Sequence, residues 1–225
     1  MSFNYSPKII TDGLVLYLDA ANKRSYPGSG TIWSDLSKNG NNGTLTNGPT
    51  FNSANGGSIV FDGTNDYIGL GTSTSLVPPY LTTSIFVYIN NYSSRPHLIG
   101  RGEGQIGHFY FVVETSGVFR FWYDVGTGWS YLEPSNFIFP TATWYNIACT
   151  FDGSTINVYG NGSLIANQSK VGQLRQYTAQ ETVLGRISTV CYLNGKISSV
   201  QVYNRALTSS EISQNYNATK TRFRI

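Results

Sequence analysis

Charge is scarce in this chain. Only 12% of its 225 residues are Asp, Glu, Lys or Arg, about half of the roughly 25% usual in soluble domains. That excludes a charged coiled coil and a disordered acidic or basic segment. The net charge of +3 sits in the last residues, where Lys220, Arg222 and Arg224 lie, and the remainder is balanced, so the composition supports no nucleic-acid patch. Long apolar runs are missing too: nothing approaches the ~20 residues of a membrane helix. Asp12 and Asp19 interrupt the opening stretch, which therefore lacks the apolar core of a signal peptide. Cysteine is limited to Cys149 and Cys191, too few for a disulfide scaffold. Reduced thiols are the expectation, with a single bridge left open. His97 and His108 share no metal-ligand spacing with Cys and no Ser-His-Asp grouping.

What is abundant is turn chemistry and aromatic side chains: 24 Gly and 8 Pro beside 16 Tyr and 12 Phe, a mixture that favours strands over helices. Strand-like segments recur at Leu14 to Leu18, Ser58 to Phe61, Tyr67 to Leu70, Ser84 to Ile89, His108 to Glu114, Val118 to Tyr123, Tyr145 to Phe151, Thr155 to Tyr159, Thr182 to Leu184 and Lys196 to Tyr203. Their turn-rich separators indicate antiparallel hairpins. Phe119, Phe121 and Tyr123 alternate with Val118, Arg120 and Trp122, as in a strand with apolar residues on both faces, and two packed sheets would bury such strands. Asp152-Gly153 and Asn161-Gly162 pin three strands as a meander. One short helix is expected near Leu207 to Ile212, where Thr208 and Glu211 fit a capping box and Leu207, Ile212 and Tyr216 share a face. With no linker in sight, residues 1–225 read as a single all-β domain with a core from about 13 to 216. Asn-x-Ser/Thr sequons begin at Asn42, Asn91, Asn161, Asn167 and Asn217, as expected by chance in a chain rich in these residues.

Six phrases in order carry a resemblance: GLVLYLDA (Gly13 to Ala20), WSDLSKNGNNGTL (Trp33 to Leu45), SIVFDGTNDYI (Ser58 to Ile68), WYNIACTFDG (Trp144 to Gly153), VYGNGSLI (Val158 to Ile165) and NGKISSVQVYNRALTSSEI (Asn194 to Ile212). Together they resemble the laminin-G-like jelly roll of the concanavalin A-like lectin and glucanase superfamily. The resemblance implies a sandwich of two antiparallel sheets, one concave, with variable loops at the rim and a short C-terminal helix. It does not by itself imply an activity, because the fold hosts enzymes, lectins and structural parts. The Glu-x-Asp-x-x-Glu strand of the glucanase members is absent. Glu103, Glu114, Glu133, Glu181 and Glu211 each lack a paired carboxylate, so a retaining hydrolase is not expected. Where related domains often read Ile-Asp-Glu-Val, this chain has Ile197-Ser198-Ser199-Val200.

Calcium is common in such domains and needs several oxygen ligands. Asp35, Asn39, Asn41 and Asn42 form the densest oxygen-bearing loop, and Asp62, Asn65 and Asp66 a second. The simpler expectation is that both aspartates hold Gly turns through backbone N–H groups, so no metal or other cofactor is assigned. Sugar recognition needs an aromatic face with polar neighbours. The stretch Tyr123 to Tyr131 offers both through Tyr123, Trp129 and Tyr131, on what reads as a loop, with Arg101 and Glu103 as polar partners. Trp33, Trp122 and Trp144 read as core, as does Cys149.

The Asn-Gly-Asn-Asn-Gly loop and the ending from Tyr216 to Phe223 also resemble laminin-G-like proteins of tailed bacteriophages. That likeness implies a non-enzymatic virion-surface protein, a capsid decoration or a neck or tail-fibre part. Such a protein assembles in the host cytoplasm without a signal peptide. Its partners would be capsid or tail proteins and host-surface polysaccharide. Docking by the N-terminal dozen residues and by Lys220, Arg222 and Arg224 is expected on that reading. A stand-alone carbohydrate-binding module is the alternative.

Overall fold

The computed structural model describes residues 8–103, 106–187 and 191–223. Along the first half run β1 (Leu14–Asp19), β2 (Ile32–Trp33), β3 (Gly43–Thr46), β4 (Thr50–Asn52), β5 (Ser58–Asp62), β6 (Tyr67–Gly69), β7 (Leu81–Ile89) and β8 (His97–Glu103). The second half adds β9 (Ile106–Val113), β10 (Phe119–Asp124), β11 (Trp129–Leu132), β12 (Trp144–Phe151), β13 (Thr155–Gly160), β14 (Ser163–Ser169), β15 (Val183–Leu184) and β16 (Asn194–Tyr203), then the helix α1 (Ser209–Thr219). They form two antiparallel sheets. Sheet I has the order β14-β13-β12-β7-β16-β5-β4, with β1 also on β16, and sheet II the order β11-β10-β9-β8-β15-β6-β3-β2.

The long strand β16 explains how β1 fits. Its first half pairs with β5 and its second half with β1 on the same edge, and on its other side it pairs with β7 through a bulge between Ile197 and Ser199. The meander expected from two turns is present as β12-β13-β14. Asn161 and Gly162 both have positive φ, 48° and 78°, the requirement of a tight two-residue hairpin turn whose twist matches the strands. Asp152 holds the other turn by accepting from the N–H groups of Ser154 and Thr155.

Period-2 alternation then selects the core. Ile85, Val87, Ile147, Cys149, Phe151, Val200 and Val202 project inward from sheet I, and Ile99, Phe109, Phe111, Phe119, Phe121 and Leu184 from sheet II, all within one buried cluster. Trp33 belongs to it as expected, and burial pushes the Cys149 thiol up, as fits a small core residue. Both cysteines are free thiols.

The helix covers the outer face of sheet I. Its capping box is the expected one, with Thr208 Oγ1 accepting from Glu211 N–H and Glu211 accepting from Thr208 N–H. Ile212 packs with Ala148, Tyr159, Tyr203 and Leu207, and Tyr216 stacks on Phe86. One further turn, Lys220–Phe223, sets Phe223 against Phe86 and Trp144, each at 4.7 Å between ring centres. Trp144 is therefore buried, but under the tail and not between the sheets.

Both ends of the described chain are tied to the molecule itself. Ile10 N–H donates to Asn215 and Gln214 donates to the Lys8 carbonyl. Arg222 pairs with Asp19 at 2.7 Å, and the Lys220 ammonium lies over the Tyr216 ring. Residues 1–7 and Arg224 lie outside the described residues.

Candidate functional site

A sandwich has two outer faces, and the tail occupies that of sheet I. On the outer face of sheet II the ladder pairs line up one residue per strand: Tyr131 with Trp122, Trp122 with Tyr110, Tyr110 with Gly100, Gly100 with Val183, Val183 with Gly69, Gly69 with Thr44, and Thr44 with Ile32. This row crosses all eight strands at right angles to them. It begins with bulky aromatics, passes over Gly, Val and Gly, and ends at a threonine and an isoleucine.

Two adjoining clefts open above it. The first, about 560 Å³, is walled by His97, Tyr110, Trp122, Trp129, Glu181 and Arg186 among others. The second, about 530 Å³, is lined by Asn42, Thr44, Thr46, Tyr67, Thr72 and Ser73, with Glu181 as the wall they share.

Glycines seat the aromatic rings. A Cβ on Gly100 would lie 2.2 Å from the Tyr110 ring, and one on Gly107 2.4 Å from the Trp129 indole. Gly102 and Gly107 face each other across the β8–β9 ladder, so the indole lies over a cross-strand glycine pair. Trp129 in turn stacks on Tyr110, ring centres 4.5 Å apart and planes 29° apart. Beside them Trp122 packs on Tyr131 at 4.7 Å. Removing Cβ from Gly69 makes room for the Glu181 carboxylate, whose Oε2 would otherwise meet a side chain at 2.5 Å. The Arg186 guanidinium carbon lies over Tyr67, 3.7 Å from the ring centre, with its Nη2 3.5 Å from Glu181.

The charges around the clefts are matched. Arg95 and Arg120 both bind Glu114, at 2.6 and 2.9 Å, and Arg120 also binds Glu133 at 2.8 Å. Burial raises the Glu114 carboxyl, but the hydrogen bonds and charges of Arg95 and Arg120 outweigh it and hold the group below its ordinary value. His97 is pushed down to about 3 by burial, with Arg95 adding to the effect, so it stands neutral in the cleft wall.

Two of the expected sugar ligands are elsewhere. Tyr123 is 1% exposed and faces the core. It sits one position from Trp122 on β10 and so points to the opposite side. Arg101 is fully buried; its guanidinium donates to the carbonyls of Gly71, Ser73 and Tyr177 and to Thr182 Oγ1. It braces the segment beside the cleft and has no surface to offer a ligand. Trp129 and Tyr131 do reach the outer face, on the strand β11 and not on a loop, with Tyr131 44% exposed. Trp122, expected in the core, is only partly buried and lines the cleft. The Glu103 backbone lies in β8, and its side chain is outside the described residues.

The residues that pattern-reading missed are Tyr110, Glu181, Arg186 and the Thr44 side of the row. Tyr110 and Trp122 were visible as a second alternating apolar set. A two-layer sandwich buries one face of each sheet, so that second set belongs to an outer face, where Tyr110 and Trp122 line the cleft.

The candidate calcium loops serve the fold. Asp35 accepts from the N–H groups of Tyr17, Ser37 and Asn41 and from Ser37 Oγ. Asp62 accepts from Thr64 and Asn65, and Asp66 from the Asp62 N–H. Asn41 donates to the Val15 carbonyl. Among the described residues no group of three or more His, Cys, Asp or Glu side chains gathers in a metal-holding arrangement, and no helix is long and apolar enough to cross a membrane.

A laminin G family model, described as the concanavalin A-like lectin/glucanases superfamily, matches residues 62–213. No curated protein matches the chain in sequence. Among solved structures the fold is similar to domain 4 of AbnA, a GH43 extracellular arabinanase from Geobacillus stearothermophilus, in complex with arabinotriose. There the TM-score is 0.71 and the identity 17%, over 90% of this chain and 98% of that one. The binding domain of Paraclostridial Mosquitocidal Protein 1 gives 0.71 and 17%, over 92% and 52% of the two chains. A Trypanosoma rangeli sialidase in complex with sialic acid gives 0.66 and 15%, over 93% and 33%. The chain thus spans nearly all of the arabinanase domain, about half of the toxin binding domain and a third of the sialidase.

Proposed function

Because the chain belongs to the concanavalin A-like lectin/glucanases superfamily, we propose that it is a carbohydrate-binding domain whose site is the aromatic cleft on the outer face of sheet II. The observation that carries this reading is the group of Trp129 and Tyr110, seated on glycines, with Trp122 in the same cleft wall, flanked by Glu181 and Arg186. Aromatic rings receive the C–H faces of a sugar, and the charged groups receive its hydroxyls. The similarity in fold to a domain solved with arabinotriose supports the same reading.

Binding, and not cleavage, is what the charges support. Glycoside hydrolysis takes two carboxylates facing one bond, and among the described residues Glu181 is the one carboxylate lining either cleft. Display on a phage virion, with capsid or tail proteins as partners and assembly in the host cytoplasm, is supported by the resemblance of the Asn-Gly-Asn-Asn-Gly loop and the chain's ending. It is compatible with sugar binding, since a surface protein of that kind can hold host polysaccharide.

The test is binding of the full chain to an immobilised glycan panel that includes arabino-oligosaccharides, with Trp129→Ala beside it. Retention of one glycan class, at least tenfold weaker in the variant, is expected, a change of about 1.4 kcal/mol. No retention of any glycan by the parent chain would refute the proposal.

A further inference from the structure

The second cleft has one aromatic ring in its lining, Tyr67, covered by the Arg186 guanidinium, and it shares a wall and a strand row with the first. Resting on the proposed function, we infer that the site takes an internal stretch of an extended, uncharged polysaccharide, laid at right angles to the strands from Trp122 to Thr44. A row of six strands at the usual spacing of about 4.8 Å covers about 24 Å, room for several sugar rings end to end. The floor beneath the middle of that path is kept low by Gly100, Val183 and Gly69. Past Glu181 the lining changes to Asn42, Thr44, Thr46, Thr72 and Ser73, neutral donors and acceptors suited to hydroxyls.

The charge pattern selects the uncharged class. Each guanidinium at the first cleft faces a carboxylate: Arg95 and Arg120 face Glu114, Arg120 also faces Glu133, and Arg186 faces Glu181. An anionic sugar would meet no surplus of positive charge, and it would approach the Glu181 carboxylate at the centre of its path. Acidic polymers are disfavoured by that repulsion, whereas a neutral chain gains hydrogen bonds from both members of the Arg186–Glu181 pair. Glu181 and Arg186 are thereby specificity determinants for the middle of the bound chain.

The experiment is electrophoresis of the full chain through gels containing neutral arabinan, xylan, mannan or β-glucan, or acidic polygalacturonate or polysialic acid. Calorimetry with the disaccharide and hexasaccharide of the retarding polymer follows. A neutral polymer should retard the chain and the acidic ones should not. The hexasaccharide should bind at least tenfold more tightly than the disaccharide. Thr44→Arg, on an exposed strand position of the second cleft, should remove that length gain with the melting temperature unchanged. Trp129→Ala should weaken both ligands. Equal affinity for the two lengths, an unaffected Thr44→Arg variant, or preference for an acidic polymer would overturn this inference and leave sugar binding standing. Loss of every polymer interaction, together with an empty glycan panel, would overturn both.

Discussion

Trp129 owes its position to residues that have no side chain. The indole rests on Gly102 and Gly107, which face each other across two strands, and a methyl group on Gly107 would lie 2.4 Å from the ring and 2.7 Å from the Gly102 backbone. Gly107→Ala must therefore lift the indole or spread the hairpin. The expected outcome is a shifted Trp emission maximum and at least tenfold weaker glycan binding, measured by fluorescence and calorimetry. This dependence explains why Trp129 was legible as a sugar-binding candidate while its surroundings were not: the tryptophan stands out in the sequence, but its seat comes from a hairpin whose strand β8 is interrupted by Gly100 and Gly102 and shows no sustained apolar alternation. Tyr123 and Arg101 were misplaced for a related reason. Strand alternation puts Tyr123 on the far side from Trp122, and Arg101 turns inward to carbonyls of a segment distant in sequence.

The buried histidines extend the residue scale to pH. His97 is pushed down to about 3 and His108 to about 4, in both cases first by burial. Their folded values lie below the ordinary 6.5, so below that pH the unfolded chain binds more protons than the folded one. Stability is whole above about pH 6.5 and declines as pH falls through it. The melting temperature should drop between pH 6.5 and 5, with a smaller slope in a His97→Asn/His108→Asn double variant, whereas glycan affinity should stay level from pH 5 to 8 because His97 remains neutral there. A parent chain whose melting temperature rises on acidification would contradict the assignment.

Among the elements, α1 was the most legible, because its start is written in four adjacent residues. Thr208→Ala removes one side of the capping box and should cost about 1 kcal/mol in urea unfolding. The hydrogen bonds from Arg205 hold Glu211 down to about 2. The Glu211 contribution is thus present above its ordinary value of 4.5 and lost as pH falls from there toward 2, adding a second acid phase that Arg205→Met should flatten. The helix extends to Thr219, well past the expected Ile212, because packing of Tyr216 on Phe86 outweighs the weak intrinsic preference of a run rich in Ser and Asn. Strands β2, β3 and β4 escaped pattern reading because each is two to four residues long with its one or two apolar residues set among turn formers, whereas the equally short β6 and β15 stand in the apolar stretches Tyr67 to Leu70 and Thr182 to Leu184.

At the scale of the whole molecule, the all-β class and the two-sheet sandwich were legible, since turn spacing and alternating apolar residues state them repeatedly. The division of labour between the two outer faces was not. Which apolar set lies under the tail and which is left open at the cleft depends on where α1 returns, and that is settled by contacts such as Arg222 with Asp19 and Phe223 with Trp144, both far apart in sequence. Phe223→Ala should destabilise the domain by about 3 kcal/mol, the low end for a buried phenylalanine, through loss of the tail clamp on sheet I. Glycan binding on sheet II should be unchanged, a separation that differential scanning and calorimetry can check.

The placement of residues 8 and 223 on the face opposite the cleft also sets an orientation. Copies anchored through either end would all turn their aromatic rows outward, side by side and unobstructed. Under that arrangement the strength of one cleft matters less than valency: after the first copy engages a long polymer, its neighbours meet the same strand at high local concentration. The gain in avidity can reach roughly 10² to 10⁴ without any new contact, so even a site that releases a single chain quickly would hold a coated surface in place.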